Sequence, residues 1–391
     1  MARIGVVHTD LSAMGGAESV CMHILEALQT EHNITLITSS APDYSELNEF
    51  FNTDVARTST EFPSVAGVDL ARSIRSFEQL LGTGQMVKLE LAVLNRYAQR
   101  MQNDFDLILA TRGAFPSRSS NVIQYIHFPL FGSDSINTYT HTASNSSHLK
   151  HVFDAAIRVI SGVSTGASNI DNSKYIVNSD WTGSVVSDTY RVNSESIFPP
   201  ISVDQSRIKF QKRQDGFLTI GRIDKDKRLN RCIDIIDRLR EKNYMIELHI
   251  AGPSYDEEYA NELKDRVNGL DFVHMHGRVS SDELADLISS NKYGLHSKEL
   301  EHFGIVVAEM IAGGMIPFVH NSGGVKEIVG HDNRLTYTDT AEAVEKISSV
   351  LSDKVAQEKI KTQLPDPKER FGRRRFSREV RVLVENALSE C

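Results

Sequence analysis

A chain of 391 residues exceeds what one compact core holds and suits two domains. With 40% hydrophobic and 24% charged residues it has the balance of a soluble globular protein, and its formal net charge of −9 argues against nonspecific nucleic-acid binding. No window has the length and apolarity of a membrane span, and three widely spaced cysteines, Cys21, Cys232 and Cys391, offer neither a disulfide framework nor a metal site.

Met1-Ala2-Arg3 leads straight into an apolar run, so no signal peptide is expected. In the first half, β-branched runs predict strands at Arg3–His8, Asn33–Thr38, Asp106–Thr111, Val122–His127 and Tyr175–Asn178, with a last short strand at Ile197–Pro200. Helical periodicity falls between them, near Ala17–Gln29, Met86–Met101, Ala155–Ser168 and Trp181–Thr189. Tyr44–Gly84 reads as irregular and polar, a flap or an insertion. Phe198-Pro199-Pro200 marks a turn, because two prolines cannot sit in a central strand. Beyond it the alternation restarts. Strands are expected at Gly216–Gly221, Ile246–Gly252, Phe272–His276, Tyr293–His296 and Ile316–His320. Helices are expected at Leu229–Glu241, Asp256–Asn268, Ser281–Ser289, Ile305–Ala312 and Ala341–Leu351. Strand–helix alternation of this kind predicts an α/β protein of two doubly wound parallel-sheet domains, residues 1–200 and 201–371, with a closing helix at about 372–391 returning to the first.

The chemistry concentrates in the second half. Glu301-His302-Phe303-Gly304 precedes an apolar helix whose second turn carries Glu309. A buried carboxylate needs a partner, and a sugar or ribose diol would satisfy it with two hydroxyl donors. The free N–H groups at Gly304 and Ile305, at the positive end of the helix dipole, suit a diphosphate. The plainer alternative is an acidic cap and a structural glutamate. Arg222 and Lys227 follow the first strand of this half, at a carboxyl end where open α/β sheets bind ligands. Two fixed cations there would stabilise a leaving nucleoside diphosphate, although a solvated charged turn has the same composition.

Other candidates are weaker individually. Gly15-Gly16 opens the first helix and would let a ligand approach the backbone, but no dinucleotide fingerprint or phosphate-loop lysine accompanies it. His127 ends a strand and could bond a transferred sugar or acceptor, or be a satisfied loop histidine. Arg278 follows the third strand of the second half, where a base could lie. His320-Asn321-Ser322-Gly323-Gly324 leaves room for a sugar, or is plain turn chemistry. Arg72, Arg75 and Lys88 around Phe77, Leu80 and Leu81, with Arg373–Arg375, suit an anionic lipid surface, a solvated face, or packing of the last helix on the first domain.

Taken together, Glu301 to Glu309 resembles the E-x7-E motif of retaining glycosyltransferases of family four; Arg222 and Lys227 match that family's diphosphate-binding pair, and Gly15-Gly16 its N-terminal glycine loop. The resemblance covers almost the whole chain. Within the family, Tyr125–Pro129, Val177–Thr182, Phe198–Pro200 and the run from Glu301 through Gly324 are similar to the α-1,2-mannosyltransferases that extend the dolichol-linked oligosaccharide. It implies a GT-B fold and metal-independent, retaining transfer of a hexose, mannose from GDP-mannose being favoured, to a lipid-linked oligosaccharide or glycan. It further implies that His127 and Glu301 lie by the donor sugar, that Arg222 and Lys227 take the diphosphate, that Phe303, Gly304, Ile305 and Arg278 line the donor site, and that Glu309 holds the ribose. No cofactor is expected apart from the nucleotide sugar as substrate, and the expected place is cytoplasmic, peripheral to the membrane's cytosolic face. A UDP-sugar-dependent transferase, a nucleotide-sugar epimerase and a non-catalytic nucleotide-sugar-binding scaffold remain the alternatives.

Overall fold

The computed structural model describes residues 1–62, 64–65, 68–69, 86–113, 115, 117, 121–129, 173–201 and 208–390. They fall into two compact units: unit 1 comprises Met1–Pro200 with Arg373–Cys391, and unit 2 comprises Ile201–Gly372.

Unit 1 contains β1 (Arg3–Val7), α1 (Gly16–Leu28), β2 (Asn33–Ile37), α2 (Tyr44–Phe51), β3 (Ser59–Glu61), a small hairpin β4 (Ser64–Val65) and β5 (Val68–Asp69), α3 (Met86–Met101), β6 (Leu107–Ala110), β7 (Val122–Ile126), β8 (Lys174–Val177), α4 (Asp180–Tyr190) and β9 (Glu195–Ser196). Seven strands form one parallel sheet in the order β3-β2-β1-β6-β7-β8-β9. The strand order reverses between β1 and β6, the position where doubly wound sheets open a ligand crevice at their carboxyl ends. β6 and β7 are fully buried; β6 is all apolar, and the one polar residue of β7, Gln124, is satisfied by the main chain of Phe115.

Two expectations fail here. Ile197–Pro200 is not a strand: β9 lies just before it, and the prolines cannot donate to a ladder. Ile201 instead bridges Gly372, and its N–H donates to the Phe371 carbonyl. Nor is the stretch from Tyr44 irregular throughout, since it forms α2 and then β3, which adds a strand to the sheet. Asp43 caps α2 by accepting from the N–H groups of Ser45 and Glu46, and only Leu47 and Phe51 of that helix are buried. The expected helix at Ala155–Ser168 lies outside the described residues.

Unit 2 contains β10 (Gln214–Ile220), α5 (Leu229–Glu241), β11 (Glu247–Ala251), α6 (Glu257–Val267), β12 (Val273–Gly277), α7 (Ser281–Ser290), β13 (Asn291–His296), α8 (Ile305–Ala312), β14 (Ile316–His320), α9 (Val325–Ile328), β15 (Thr336–Tyr337), α10 (Thr340–Ser352), α11 (Lys354–Gln363) and α12 (Pro367–Phe371). Its six parallel strands run β12-β11-β10-β13-β14-β15, so the reversal falls between β10 and β13. Phe217, Tyr293 and Phe318, one from each central strand, pack ring on ring with centroids 5.0 Å (Phe217–Tyr293) and 6.2 Å (Phe217–Phe318) apart.

The last helix, α13 (Arg373–Glu390), belongs to unit 1. Phe376, Val380, Val384 and Ala387 enter the same core as Val6, Ile24, Leu36 and Tyr125. The basic run at its start is structural in two of its three members. Arg373 donates to the carbonyls of Asn52 (2.6 Å) and Phe51 (2.9 Å), while Arg375 donates to the Phe198 carbonyl and to Glu379. Arg72, Arg75, Phe77, Leu80 and Leu81 lie outside the described residues.

Candidate active site

The strand reversal of unit 2 gathers the charges. β10 ends at Ile220 and turns through Gly221, whose φ of +144° suits glycine. A Cβ at Gly221 would meet the Lys227 stem at 3.4 Å, so the chain folds Lys227 back over the strand end. β13 ends at His296 and delivers Lys298, Glu299 and Glu301 beside it. Lys227 Nζ lies 3.1 Å from Glu301 Oε2, His296 Nε2 lies 3.3 Å from the same oxygen, and Lys298 Nζ lies 3.8 Å from Glu301 Oε1. Lys298 also reaches Asp226 Oδ2 at 2.8 Å.

The charges settle accordingly. Burial alone would raise the Glu301 carboxyl, but Lys227, His296 and Lys298 outweigh it and hold it well below the usual carboxylate range. Burial alone would depress Lys298, but Glu301 and Asp226 keep it an ammonium. Burial pushes His302 down to about 4 and lowers His296, so both imidazoles are neutral near pH 7. Arg222 is exposed, and its charge is felt at Lys298. Three cations (Arg222, Lys227, Lys298) therefore stand against two carboxylates (Asp226, Glu301), which leaves the cluster one charge in favour of an anion.

Glu301 is held by its backbone. Leu300 adopts φ +51°, an uncommon conformation for a branched residue that costs roughly 1–2 kcal/mol. Its N–H donates to Ser322 Oγ at 2.8 Å. Gly324 N donates to the Glu301 carbonyl at 2.8 Å. Gly323, at φ +75°, presses so close that a Cβ would lie 2.3 Å from the Glu301 carbonyl oxygen. Gly323 and Gly324 thus let this loop buttress Glu301.

Gly304, at φ +99°, is the N-cap of α8, and no side chain caps that helix. Val307, Ala308, Met310, Ile311 and Ala312 are buried, while Ile305, Val306 and Glu309 are half-buried on the remaining side. Among the described residues no hydrogen bond or ion pair to the Glu309 carboxyl is found, and burial pushes it up to about 7. A carboxyl in that condition is a ready acceptor for hydroxyl donors.

Two sequence candidates stand apart from this cluster. The Phe303 ring turns inward, 3% exposed, edge-on to Phe371 at 5.7 Å, so only its main chain is left for a ligand. Arg278 follows the edge strand β12, two strands from β10, and donates to Tyr255 Oη at 3.1 Å. Sequence reasoning missed Lys298, His296 and Glu299. Glu299 accepts from Arg231 and faces Arg228 at 3.9 Å and His320 at 4.0 Å. The signal was available in the four charged or imidazole residues between His296 and Glu301, which follow a strand's carboxyl end.

In unit 1, β1 and β6 end beside each other. His8 Nδ1 is 2.7 Å from Thr111 Oγ1, and Arg112 donates to Glu18 Oε1 at 2.6 Å. Gly15 N donates to Glu18 Oε2 at 2.9 Å, and a Cβ at Gly15 would lie 2.8 Å from that oxygen. Gly15 therefore admits the Glu18 carboxylate to its own amide, one half of a capping box, while Gly16 remains exposed. Burial would raise Glu18, but His8 and Arg112 outweigh it and hold the carboxyl at about 2. His127 follows β7, its ring tilted against that of Tyr125 with centroids 5.0 Å apart, and its carbonyl accepts from Asn178 Nδ2 at 3.2 Å.

Comparison with known proteins agrees with this picture. The family described as "Glycosyl transferases group 1" matches residues 202–365. The chain is 24% identical to the GDP-Man:Man(3)GlcNAc(2)-PP-Dol alpha-1,2-mannosyltransferase of Dictyostelium discoideum, over 96% of this chain and 83% of that protein. The Homo sapiens protein of the same name is 26% identical over 60% of this chain, which spans about half of it (54%). Among solved structures, Anabaena Alr3699/HepE in complex with UDP and glucose superposes with a TM-score of 0.65 at 14% identity, over 98% of this chain and 100% of that one. WaaG, a glycosyltransferase involved in lipopolysaccharide biosynthesis, gives 0.63 at 12% identity over 98% of each chain. Two doubly wound parallel sheets, the second with an anion-favouring cluster at its strand reversal, define an α/β protein of the GT-B class. The chain is a glycosyltransferase, and residues 202–365 are its group 1 glycosyl transferase domain.

Proposed function

We propose that this glycosyltransferase moves mannose from GDP-mannose, with retention of configuration and without a metal in the transfer step, to a lipid-linked oligosaccharide. The observation that carries the reading is the cluster of Lys227, Lys298 and Arg222 about Glu301 at the carboxyl ends of β10 and β13, with Glu309 on the next helix unpartnered among the described residues. The choice of donor and acceptor is supported by the alignment with the Dictyostelium mannosyltransferase over nearly the whole chain.

In this reading Arg222 and Lys227 carry the diphosphate. Negative charge that develops on the leaving group meets cations already in place, so no reorganisation is needed as the glycosidic bond breaks. The uncapped N–H groups of Gly304 and Ile305 add the helix dipole. Glu309 accepts hydrogen bonds from the two ribose hydroxyls. Glu301, ionised and fixed by Gly323 and Gly324, lies beside the donor sugar and orients it.

No helix among the described residues is long and apolar enough to cross a membrane. Peripheral attachment on the cytoplasmic side remains part of the proposal. Two of the arginines that suggested it, Arg373 and Arg375, are already engaged within unit 1.

The test is calorimetric titration of the full chain with GDP-mannose, UDP-glucose and UDP-galactose in EDTA. Selective binding of GDP-mannose is expected. Selective binding of a UDP-sugar overturns the choice of mannose and leaves a UDP-sugar transferase, and release of an epimerised nucleotide sugar without acceptor overturns transfer itself.

A further inference from the structure

A second group of ligand-type side chains lies on the outer strands of unit 2, away from the charges at β10 and β13. Glu247 and His249 are two apart on β11 and therefore share a face of the sheet; so do His274 and His276 on β12. His249 and His274 are direct cross-strand partners in the parallel ladder, and their rings stack with centroids 4.9 Å apart. The His276 ring also stacks on that of His249, with centroids 5.3 Å apart. Three imidazoles and one carboxylate are thus brought together where the strands join.

We propose that Glu247, His249 and His274 bind a divalent transition-metal ion of zinc type. One carboxylate oxygen, Glu247 Oε2, faces both imidazoles: His274 Nε2 at 3.2 Å and His249 Nε2 at 3.7 Å. The three ligand atoms lie within 4.8 Å of one another. A tetrahedral ion with bonds of about 2.0–2.1 Å holds its ligand atoms roughly 3.4 Å apart, close to the two carboxylate–imidazole spacings, and binding would turn the stacked His249 and His274 rings so that both nitrogens face the ion.

The hydrogen bonds prepare His249 for this role. Its Nδ1 is 3.0 Å from His276 Nε2, and Gln214 Nε2, an amide donor, is 3.3 Å from its Nε2. An Nε2 that accepts from Gln214 leaves the ring proton on Nδ1, which donates to His276. A cation seated between His249 Nε2 and Glu247 Oε2, which are 3.7 Å apart, would take the Nε2 lone pair in place of the Gln214 amide and bond both atoms. Metal-bound histidines commonly fix their second nitrogen in this way. The remaining position is open to water, because Glu247 and His274 are half-exposed. Nitrogen and carboxylate ligands in this number favour zinc over calcium or magnesium, which prefer oxygen alone. Bound there, the ion ties the edge strand β12 to β11 and leaves donor transfer to other residues. The inference does not depend on the identity of the donor.

The experiment uses the full, tag-free chain stripped with a chelator and dialysed. Zn2+ is titrated against a chromophoric competitor, and Co2+ is added separately to read its visible absorption. One saturable equivalent is expected, with the intense band of four-coordinate Co2+ and a rise in Tm that grows with free Zn2+. His274→Ala and Glu247→Gln alter half-exposed side chains and should each weaken binding at least tenfold while the metal-free Tm stays near wild type. His331→Ala, an exposed histidine elsewhere in unit 2, should bind as wild type. Absence of a saturable equivalent in the wild type, or unchanged affinity in both ligand variants, overturns the proposal.

Discussion

Lys227 and Glu301 form an ion pair at 3.1 Å, although 74 residues separate them in sequence. In the ligand-free protein each neutralises the other, and a bound diphosphate competes with Glu301 for the ammonium. Lys227→Met should lower kcat/KM by roughly 10²–10³, the usual cost of one preorganised charge at a leaving group. Glu301 retains His296 and Lys298, so the fall in Tm should be small. Wild-type turnover in Lys227→Met would remove this lysine from the donor site.

Glu309 sets a pH dependence of known sign. Its carboxyl is near 7 in the folded chain against an ordinary 4.5, so between those values the folded state holds a proton that the unfolded state has lost. Stability must therefore fall as pH rises from about 4.5 through 7. Donor binding should run the other way, because ribose hydroxyls donate to the ionised form. In Glu309→Gln both slopes should flatten, with a higher Tm than wild type at pH 8 and weaker donor affinity. Denaturation and calorimetry at pH 6, 7 and 8 separate the two; parallel slopes in the variant and wild type count against the assignment.

Gly323 and Gly269 both have positive φ, +75° and +87°, but only Gly323 has a crowded Cβ position. Gly269→Ala should cost only the backbone conformation, about 1 kcal/mol. Gly323→Ala adds an overlap with the Glu301 main chain and must displace that carboxylate, so donor affinity should drop along with stability. Equal donor affinity in the two variants would show that the buttress does not position Glu301.

Glu18 provides an acid-sensitive element in unit 1. Its carboxyl is held at about 2, so its contribution is complete above the ordinary 4.5 and is lost as pH falls through 2. That amounts to roughly 3 kcal/mol at neutral pH. Trp181 is the sole tryptophan and stacks on Phe128 within unit 1, which makes its fluorescence a local probe. Glu18→Gln should lower the unfolding midpoint at pH 7 and flatten the loss between pH 4.5 and 2. A variant as stable as wild type at pH 7 argues that Arg112 and His8 gain nothing from Glu18.

Elements whose apolar pattern is strong were legible in advance. α3, α5, α8 and β14 begin and end where periodicity places them. α2 was hidden because its buried face is only Leu47 and Phe51. β3, β9 and β15 are too short for alternation to register. In the site, Arg222, Lys227, Glu301 and Glu309 were readable as charges at strand and helix ends. The pairing of Lys227 with Glu301, the buttress by Gly323 and the inward turn of Phe303 depend on tertiary geometry that residue spacing does not carry. The histidines of β11 and β12 are unobtrusive in sequence, since only the ladder register sets His249 opposite His274.

The final helix gives unit 1 a discontinuous origin. Phe376, Val380, Val384 and Ala387 fill a core whose other walls are encoded before residue 200. During synthesis the amino-terminal sheet therefore waits, with that face open, while unit 2 is made in full and can close first. A stop codon or destabilising substitution in the last twenty residues should act as a folding defect of the opposite end of the chain. Chaperone dependence should accordingly track α13, and coexpression of the missing helix as a separate peptide is the natural rescue.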